Sequence, residues 1–303
     1  MPTGVMLCSV CVNNPELNIQ FHIITDTDVA EEDCDDLAAV VAPYDRVDVR
    51  FYCVSEQVLG NSFPRLDDVI TRAAYFRLYI TSLLPPSINK ALYLDGDVIV
   101  RHSLKELWNM DLTGYALAAV PDMREGTTER YEGLGYSKSL GYFNSGVLLI
   151  NLSYWRQHQV TKLFDEFMRD RGENIRFHDQ DVLNYIFREQ KMTLPIKYNL
   201  QDGFLWKKPE YDWSRYGEEV MAARKDPVIV HFTREIKPWR YSYDPNPFRS
   251  TFLKYQKMTK WKGVYTDWRP FSTRARNSVG IILRRMRMIP QIESRFVSIA
   301  PVD

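Results

Sequence analysis

Residues 91–100 read Ala91-Leu92-Tyr93-Leu94-Asp95-Gly96-Asp97-Val98-Ile99-Val100: an apolar run, two carboxylates astride a glycine, then a second apolar run. A short hydrophobic stretch of this kind predicts a buried strand. Ionised carboxylates in such a setting are costly unless something positive binds them. Gly96 lets the backbone turn tightly, so Asp95 and Asp97 can face one point at the strand's end. A hard divalent cation, Mg²⁺ or Mn²⁺, takes oxygen ligands and would suit that point together with a phosphate-bearing substrate. A surface turn with two solvated acids is the competing reading of this stretch alone.

Upstream, Asn18–Thr25 and Arg46–Val54 read as strands, with a surface helix over Val29–Ala42 between them. Strand–helix–strand spacing predicts an α/β fold with a mostly parallel sheet. Residues 1–13 read as an apolar, buried helix. Leu66–Leu84 has helical periodicity and stops before Pro85-Pro86. Its Arg72 and Arg77 either snorkel to water or, if buried, need a carboxylate or phosphate.

Downstream, Ser103-Leu104-Lys105-Glu106 has the pattern of a capping box. Tyr115–Pro121 is a strand running into Asp122, a second acid at a strand end, and open α/β sheets bind ligands beyond those ends. Met123–Ser139 is polar and glycine-containing, which suits a mobile loop over a site or a plain surface connection. Val147–Leu152 reads as a strand preceded by the small polar cluster Asn144-Ser145-Gly146, and Tyr154–Arg171 as one amphipathic helix. Asp179-Gln180-Asp181 opens another helix. Capping explains one of those acids, but not both together with Gln180. Met192–Tyr198 and Pro227–Phe232 read as short strands. The second carries His231, followed by Lys237, and His231 would complete an oxygen, oxygen, nitrogen set with Asp95 and Asp97 if the strand ends meet. A helix runs from Asn246 to about Trp261.

The 303 residues carry 39 basic and 39 acidic side chains, a balance that gives no reason to expect nucleic acid as partner. No apolar run reaches membrane-spanning length, and Met1–Met6 has no signal-peptide pattern. Cys8 and Cys11 have C-x-x-C spacing, but no second Cys/His pair accompanies them, and packed thiols in a reducing compartment are expected. From Arg274 the chain is basic and apolar, suited either to an anionic membrane surface or to a docked terminal helix.

Several stretches together resemble glycosyltransferase family 8: YLDGDVIV, YFNSGVLLINL, FHDQDVLNYIF, LPIKYNL and HFTREIKPW, in that order and spacing. RAAYFRL (Arg72–Leu78) and the C-terminal extension are similar in particular to the bacterial lipopolysaccharide core glucosyl- and galactosyltransferases. The resemblance covers nearly all of residues 1–262. It implies a GT-A fold over residues 1–245, a mixed, mostly parallel sheet flanked by helices, with a helical extension over 246–303. It also implies a UDP-hexose donor (glucose or galactose), Mn²⁺ or Mg²⁺, and retention of anomeric configuration. By the same resemblance Asp95, Asp97 and His231 hold the metal. Lys237 meets the donor diphosphate and Arg77 lies near the donor. Asp122, Asn144 and Asp179 contact the sugars, with Ser145 and Asp181 beside them in the substrate site. Gln180 stands on the reacting face of the donor sugar. The implied acceptor is a glycan or lipid-linked glycan, met in the cytoplasm or at the inner membrane face.

Sugar transfer needs the diphosphate neutralised and a carboxylate or amide near the forming oxocarbenium. Because an amide is a poor nucleophile, a front-face path with Gln180 as electrostatic stabiliser is expected. Two departures stand out. The family begins with a strand and an A-x-D-x-N-Y loop, whereas this chain starts with the segment that follows them, so an incomplete nucleoside pocket is expected. Arg234 replaces a glycine usual three residues after the metal histidine, and either clashes with the diphosphate or adds a contact to it. The competing readings are a non-catalytic relative that keeps the fold, and phosphoryl transfer of the haloacid-dehalogenase kind. The latter also uses D-x-D after a strand but expects a threonine where Ile99 stands.

Overall fold

The Asp95-Gly96-Asp97 turn is where the chain leaves one sheet and enters another. The computed structural model describes residues 1–54, 72–240, 245–266, 286 and 295–299. In chain order the elements begin with α1 (Pro2–Asn13), β1 (Ile19–Thr25), α2 (Glu31–Val41) and β2 (Val47–Cys53). A 3-10 segment (Arg72–Tyr79) leads into α3 (Ile80–Leu83), β3 (Lys90–Leu94), β4 (Val98–Val100), α4 (Lys105–Trp108) and β5 (Leu117–Pro121). Then come α5 (Glu129–Glu132), β6 (Phe143–Asn151), α6 (Leu152–Gln157), α7 (Val160–Arg171), α8 (His178–Phe187) and β7 (Lys191–Thr193). The last are β8 (Leu200–Gln201), α9 (Trp213–Lys225), β9 (Ile229–His231) and α10 (Arg249–Gln256).

One sheet has the order β3-β6-β5-β7 and another β4-β9-β8, with β1 and β2 paired separately. The architecture is mixed, with helices packed on its faces. Among the described strands, parallel pairings (β1–β2, β5–β7, β8–β9) equal antiparallel ones (β3–β6, β4–β9, β5–β6). Strand periodicity divides the core in two. On β6, Val147 and Leu149 face one cluster, and Leu148 and Ile150 the other. On β5, Ala118 and Val120 likewise oppose Leu117 and Ala119. Side chains of alternating direction along one strand give this partition.

Helix α1 is buried along most of its length, as its apolar composition requires, with Cys8 and Cys11 as free packed thiols. It lies against the edge of β4. Ser9 Oγ accepts from Val100 N at 2.9 Å, and Asn13 Nδ2 donates to Val100 O at 3.0 Å, so side chains satisfy backbone groups that no strand pairs there. Asn13 Nδ2 also donates to Tyr255 Oη on α10 at 2.8 Å, and Phe252 of that helix stacks edge-on against Phe232.

The structure corrects several sequence expectations. The capping box does not form: Ser103 Oγ donates to Glu16 Oε1 at 2.5 Å, and Glu106 pairs with Lys197 at 3.0 Å. The helix expected over Tyr154–Arg171 is two helices, α6 and α7, broken where Gln159 adopts φ +49°. Strand β6 begins at Phe143, so Asn144, Ser145 and Gly146 lie inside it rather than before it. Of Met192–Tyr198, only the first residues continue a strand, and Ile196–Tyr198 is a 3-10 turn. Gly96 does not adopt positive φ; a Cβ there would lie 2.7 Å from Thr3 Oγ1, so glycine gives room to the Thr3 hydroxyl rather than a special backbone conformation. The part of the predicted helix over 66–71 and the basic stretch from Arg274 to residue 285 lie outside the described residues. No helix among the described residues is long and apolar enough to cross a membrane.

Candidate active site

Strand register builds the site. Val98 is opposite His231 across β4–β9, and Leu94 is opposite Val147 across β3–β6. The two carboxylates therefore emerge between His231 on one side and Gly146 on the other, and Asp95 N donates to Gly146 O at 2.8 Å. A Cβ on Gly146 would lie 2.2 Å from His231 Cε1 and 2.6 Å from Asp95 Oδ2, so only glycine lets these groups converge.

Each acid is tied by one oxygen and leaves the other toward the centre. Asp95 Oδ1 accepts from Arg77 Nη2 and from Tyr93 Oη, both at 2.8 Å. Asp97 Oδ2 accepts from Lys237 Nζ at 2.8 Å. Asp97 Oδ1 is sealed from solvent without a hydrogen-bond donor, although the side chain as a whole is 26% exposed. His231 Nε2 stands 3.1 Å from it without hydrogen-bond alignment, and 3.8 Å from Asp95 Oδ2. Asp95, Asp97 and His231 thus offer ligand atoms within 4.8 Å of one another. Two oxygens and an imidazole nitrogen, one of them a buried acceptor with no donor, fit a divalent cation. Burial opposes ionisation of Asp97, but Lys237 and His231 together hold it well below the usual carboxylate range. Burial likewise opposes a charged His231, and the carboxylates, Asp97 foremost, hold its pKa above the ordinary value.

Arg77 is buried at the end of the 3-10 segment. Its guanidinium reaches Asp95, Asp179 Oδ2 at 3.2 Å and Ser145 O at 2.7 Å, and lies 4.3 Å from the Tyr93 ring centre. Burial disfavours its charge, yet Asp179 and Asp95 raise its pKa on balance. Of the two sequence readings of this arginine, the paired one holds. Asp179 also accepts from Ser145 Oγ at 3.1 Å, and burial pushes its pKa up to about 6, more than Arg77 draws it down. The residue before it, His178, has φ +54°, a sparsely populated conformation that recurs at functional sites.

Gln180 is held at both ends of its amide. Oε1 accepts from Ser145 N at 3.0 Å and Asn144 Nδ2 at 3.1 Å, while Nε2 donates to Asp122 Oδ2 at 3.2 Å. A backbone N–H only donates and a carboxylate only accepts, so the amide's direction is fixed by its neighbours. Asp122 Oδ1 meets Arg130 Nη2 at 2.9 Å and Arg124 N at 3.0 Å. The connection over Met123–Ser139 is therefore anchored in the site by buried Arg130.

Both carboxylate oxygens of Asp181 are engaged within the chain. Its Oδ2 accepts from Arg176 N and Phe177 N, both at 2.8 Å, and its Oδ1 from Tyr142 Oη at 2.6 Å. It organises the approach to α8 from within the helix's own first turns, reaching back to N–H groups that precede it. The Arg234 guanidinium lies 5.2 Å from the Phe296 ring centre, and the backbone N–H of Arg234 donates to Asp202 Oδ2 at 2.9 Å. Sequence reasoning missed Arg130, Asn199 and Tyr93. Tyr93 was within reach, since a residue two before Asp95 on a strand points to the same side. A depression of about 410 Å³ opens at the far end of β3, between Asn89, Lys90 and Asn151, and takes no part in this site.

The family profile described as Glycosyl transferase family 8 matches residues 1–242. General stress protein A of Bacillus subtilis is 32% identical over 198 residues, covering 64% of this chain and 68% of that one. Lipopolysaccharide 1,2-glucosyltransferase of Escherichia coli K12 is 27% identical over 269 residues, covering 88% and 76%. The crystal structure of the galactosyltransferase LgtC, in complex with donor and acceptor sugar analogs, superposes with a TM-score of 0.75 at 26% identity, covering 88% of this chain and 94% of LgtC.

Proposed function

This chain belongs to glycosyltransferase family 8, and from that premise we propose that it moves a hexose, glucose or galactose, from a UDP-sugar to a glycan hydroxyl with retention at the anomeric carbon. The observation that carries the reading is the convergence of Asp95, Asp97 and His231 beside Lys237. Bound by those three residues, Mn²⁺ or Mg²⁺ would act as a Lewis acid that neutralises charge on the leaving diphosphate.

The remaining work falls to the chain's own side chains. Lys237 balances Asp97 and also donates to Phe232 O, and it can turn one N–H to the diphosphate as the donor arrives. Arg77, fixed by its acceptors, keeps a positive charge on the opposite flank. Asp179 accepts hydrogen bonds from the donor-sugar hydroxyls. Gln180 has an oxygen already engaged by two N–H donors, which supports a front-face path rather than attack by the amide. On that path the departing phosphate oxygen takes the acceptor proton as the new glycosidic bond forms, and the Gln180 dipole stays at the reacting face.

The lipopolysaccharide glucosyltransferase among the relatives supports a lipopolysaccharide or another surface glycan as acceptor. The basic, apolar sequence from Arg274 supports work at the inner face of an anionic membrane. The deciding assay is release of UDP from UDP-glucose and UDP-galactose, stopped by EDTA and restored by Mn²⁺. No release from either donor, with no nucleotide-induced thermal shift in Mn²⁺, would overturn the proposal. A covalent sugar adduct trapped on any residue would overturn the front-face path alone.

A further inference from the structure

His231 ends a run of buried side-chain amides whose direction is set by backbone N–H groups at the other end. Gly146 N donates to Asn144 Oδ1 at 3.0 Å, which identifies that atom as the oxygen. Asn144 Nδ2 correspondingly faces Gln180 Oε1, itself fixed by Ser145 N, and more distantly Asp122 Oδ2 at 3.5 Å. Asn199 Nδ2 donates to the same Asn144 Oδ1 at 2.8 Å. The carbonyl of Asn199 is therefore turned to His231 Nδ1, 3.0 Å away. A carbonyl oxygen only accepts, so Nδ1 carries the proton and Nε2 points at Asp95 and Asp97.

We propose that Asn199 is a positioning residue for the metal centre: acting through His231, it holds the imidazole in the Nδ1–H tautomer and in the orientation that leaves Nε2 free to ligate a divalent cation. The inference rests on the reading of Asp95, Asp97 and His231 as that centre. Reversing Asn199 would set its oxygen against Asn144 Oδ1 and its NH₂ against the Nδ1 proton, breaking two hydrogen bonds at once. Asn199 is fully buried and Asn144 nearly so, so no water is at hand to replace a lost partner. Outer-shell partners of metal-bound histidines act in this way, and their loss weakens metal affinity about 10–100-fold.

The test uses the full chain without nucleotide. Mn²⁺ affinity is read by the EPR signal of free Mn²⁺ in wild type, Asn199→Leu and Asn199→Asp, with circular dichroism as the check on folding. Asn199→Leu should bind at least about tenfold more weakly. Asn199→Asp, which keeps an acceptor for Nδ1–H but loses the donor to Asn144 Oδ1, should bind more tightly than Asn199→Leu though below wild type, a partial rescue that a role in packing alone would not give. The ring ¹⁵N shifts of His231 in the Mg²⁺-loaded wild type, assigned with His231→Asn, should report the Nδ1–H tautomer. They decide the matter even if Asn199→Leu fails to fold. An Nε2–H tautomer, or unchanged Mn²⁺ affinity in folded Asn199→Leu, overturns the proposal. Wild type that binds neither Mn²⁺ nor Mg²⁺ overturns the metal reading itself, while the metal-free tautomer still judges the role of Asn199.

Discussion

Arg130 Nη2 lies 2.9 Å from Asp122 Oδ1 with both side chains buried, and the guanidinium stacks 3.7 Å from the centre of the Phe177 ring. One ion pair thus joins the connection after β5, the carboxylate that holds Gln180, and the approach to α8. Removing one member of a buried pair leaves the other charge uncompensated. Arg130→Met should lower unfolding free energy by roughly 3–5 kcal/mol in urea denaturation. Adding Asp122→Asn should recover part of it, because the stranded charge is gone. A loss under 1 kcal/mol in the single variant would mean that solvent reaches Asp122.

Gly146→Ala should abolish Mn²⁺ binding and donor turnover while leaving far-UV circular dichroism unchanged. The added methyl falls on His231 Cε1 and Asp95 Oδ2, with β6 backbone behind it. Gly172→Ala is the control: a Cβ there meets nothing within 4 Å, and metal affinity should not move. Full Mn²⁺ affinity in Gly146→Ala would show that the two ligands need not stand where they do.

Stability should depend on pH through Asp179. Burial raises its pKa to about 6, whereas an unfolded aspartate titrates near ~3.9. The folded state therefore keeps a proton that the unfolded state has already lost. This contribution is full below about pH 4 and disappears as pH rises through about 6. Asp179→Asn does not titrate, so it should gain on wild type between pH 4.5 and 7.5 by on the order of 2 kcal/mol, measured by urea denaturation at both values. A constant difference would place the Asp179 pKa near that of the unfolded chain.

Arg234→Gly should change the donor KM less than threefold and lower stability by about 1 kcal/mol, the usual size of a cation–π contact. The guanidinium is committed to Phe296, which is buried, while the backbone N–H holds Asp202. A tenfold rise in KM would show that the side chain leaves Phe296 for the diphosphate when the donor binds.

What could be read from the sequence is what local pattern controls. Asp95 and Asp97 stand out because apolar strands bracket them, and His231 because it closes a short apolar run. That β4 and β9 pair in the register that joins them is decided by tertiary packing, and only a resemblance to a known family anticipates it. Arg130 was hidden in a polar stretch that reads as solvent-exposed, since its burial follows from Asp122 and Phe177 rather than from its neighbours. Asn199 falls just past the strand expected to end at Tyr198, and nothing local says which way its amide faces. Gln159 carries no turn signal, so the break between α6 and α7 was invisible. The capping box failed because Ser103 and Glu106 each found a stronger partner far along the chain, Glu16 and Lys197.

The four free thiols differ in access: Cys53 is exposed and Cys34 half-buried, whereas Cys8 and Cys11 are sealed in α1, where burial drives the Cys11 pKa up to about 12. Thiol reagents attack only the thiolate. A dye such as a disulfide-exchange chromophore would mark Cys53 and Cys34 first and wait for Cys8 and Cys11 until α1 lifts from β4. The delay between the phases is an intrinsic chronometer, timing how often the twelve-residue helix parts from the strand that carries the second carboxylate onward. No fluorophore or engineered label is required to read it.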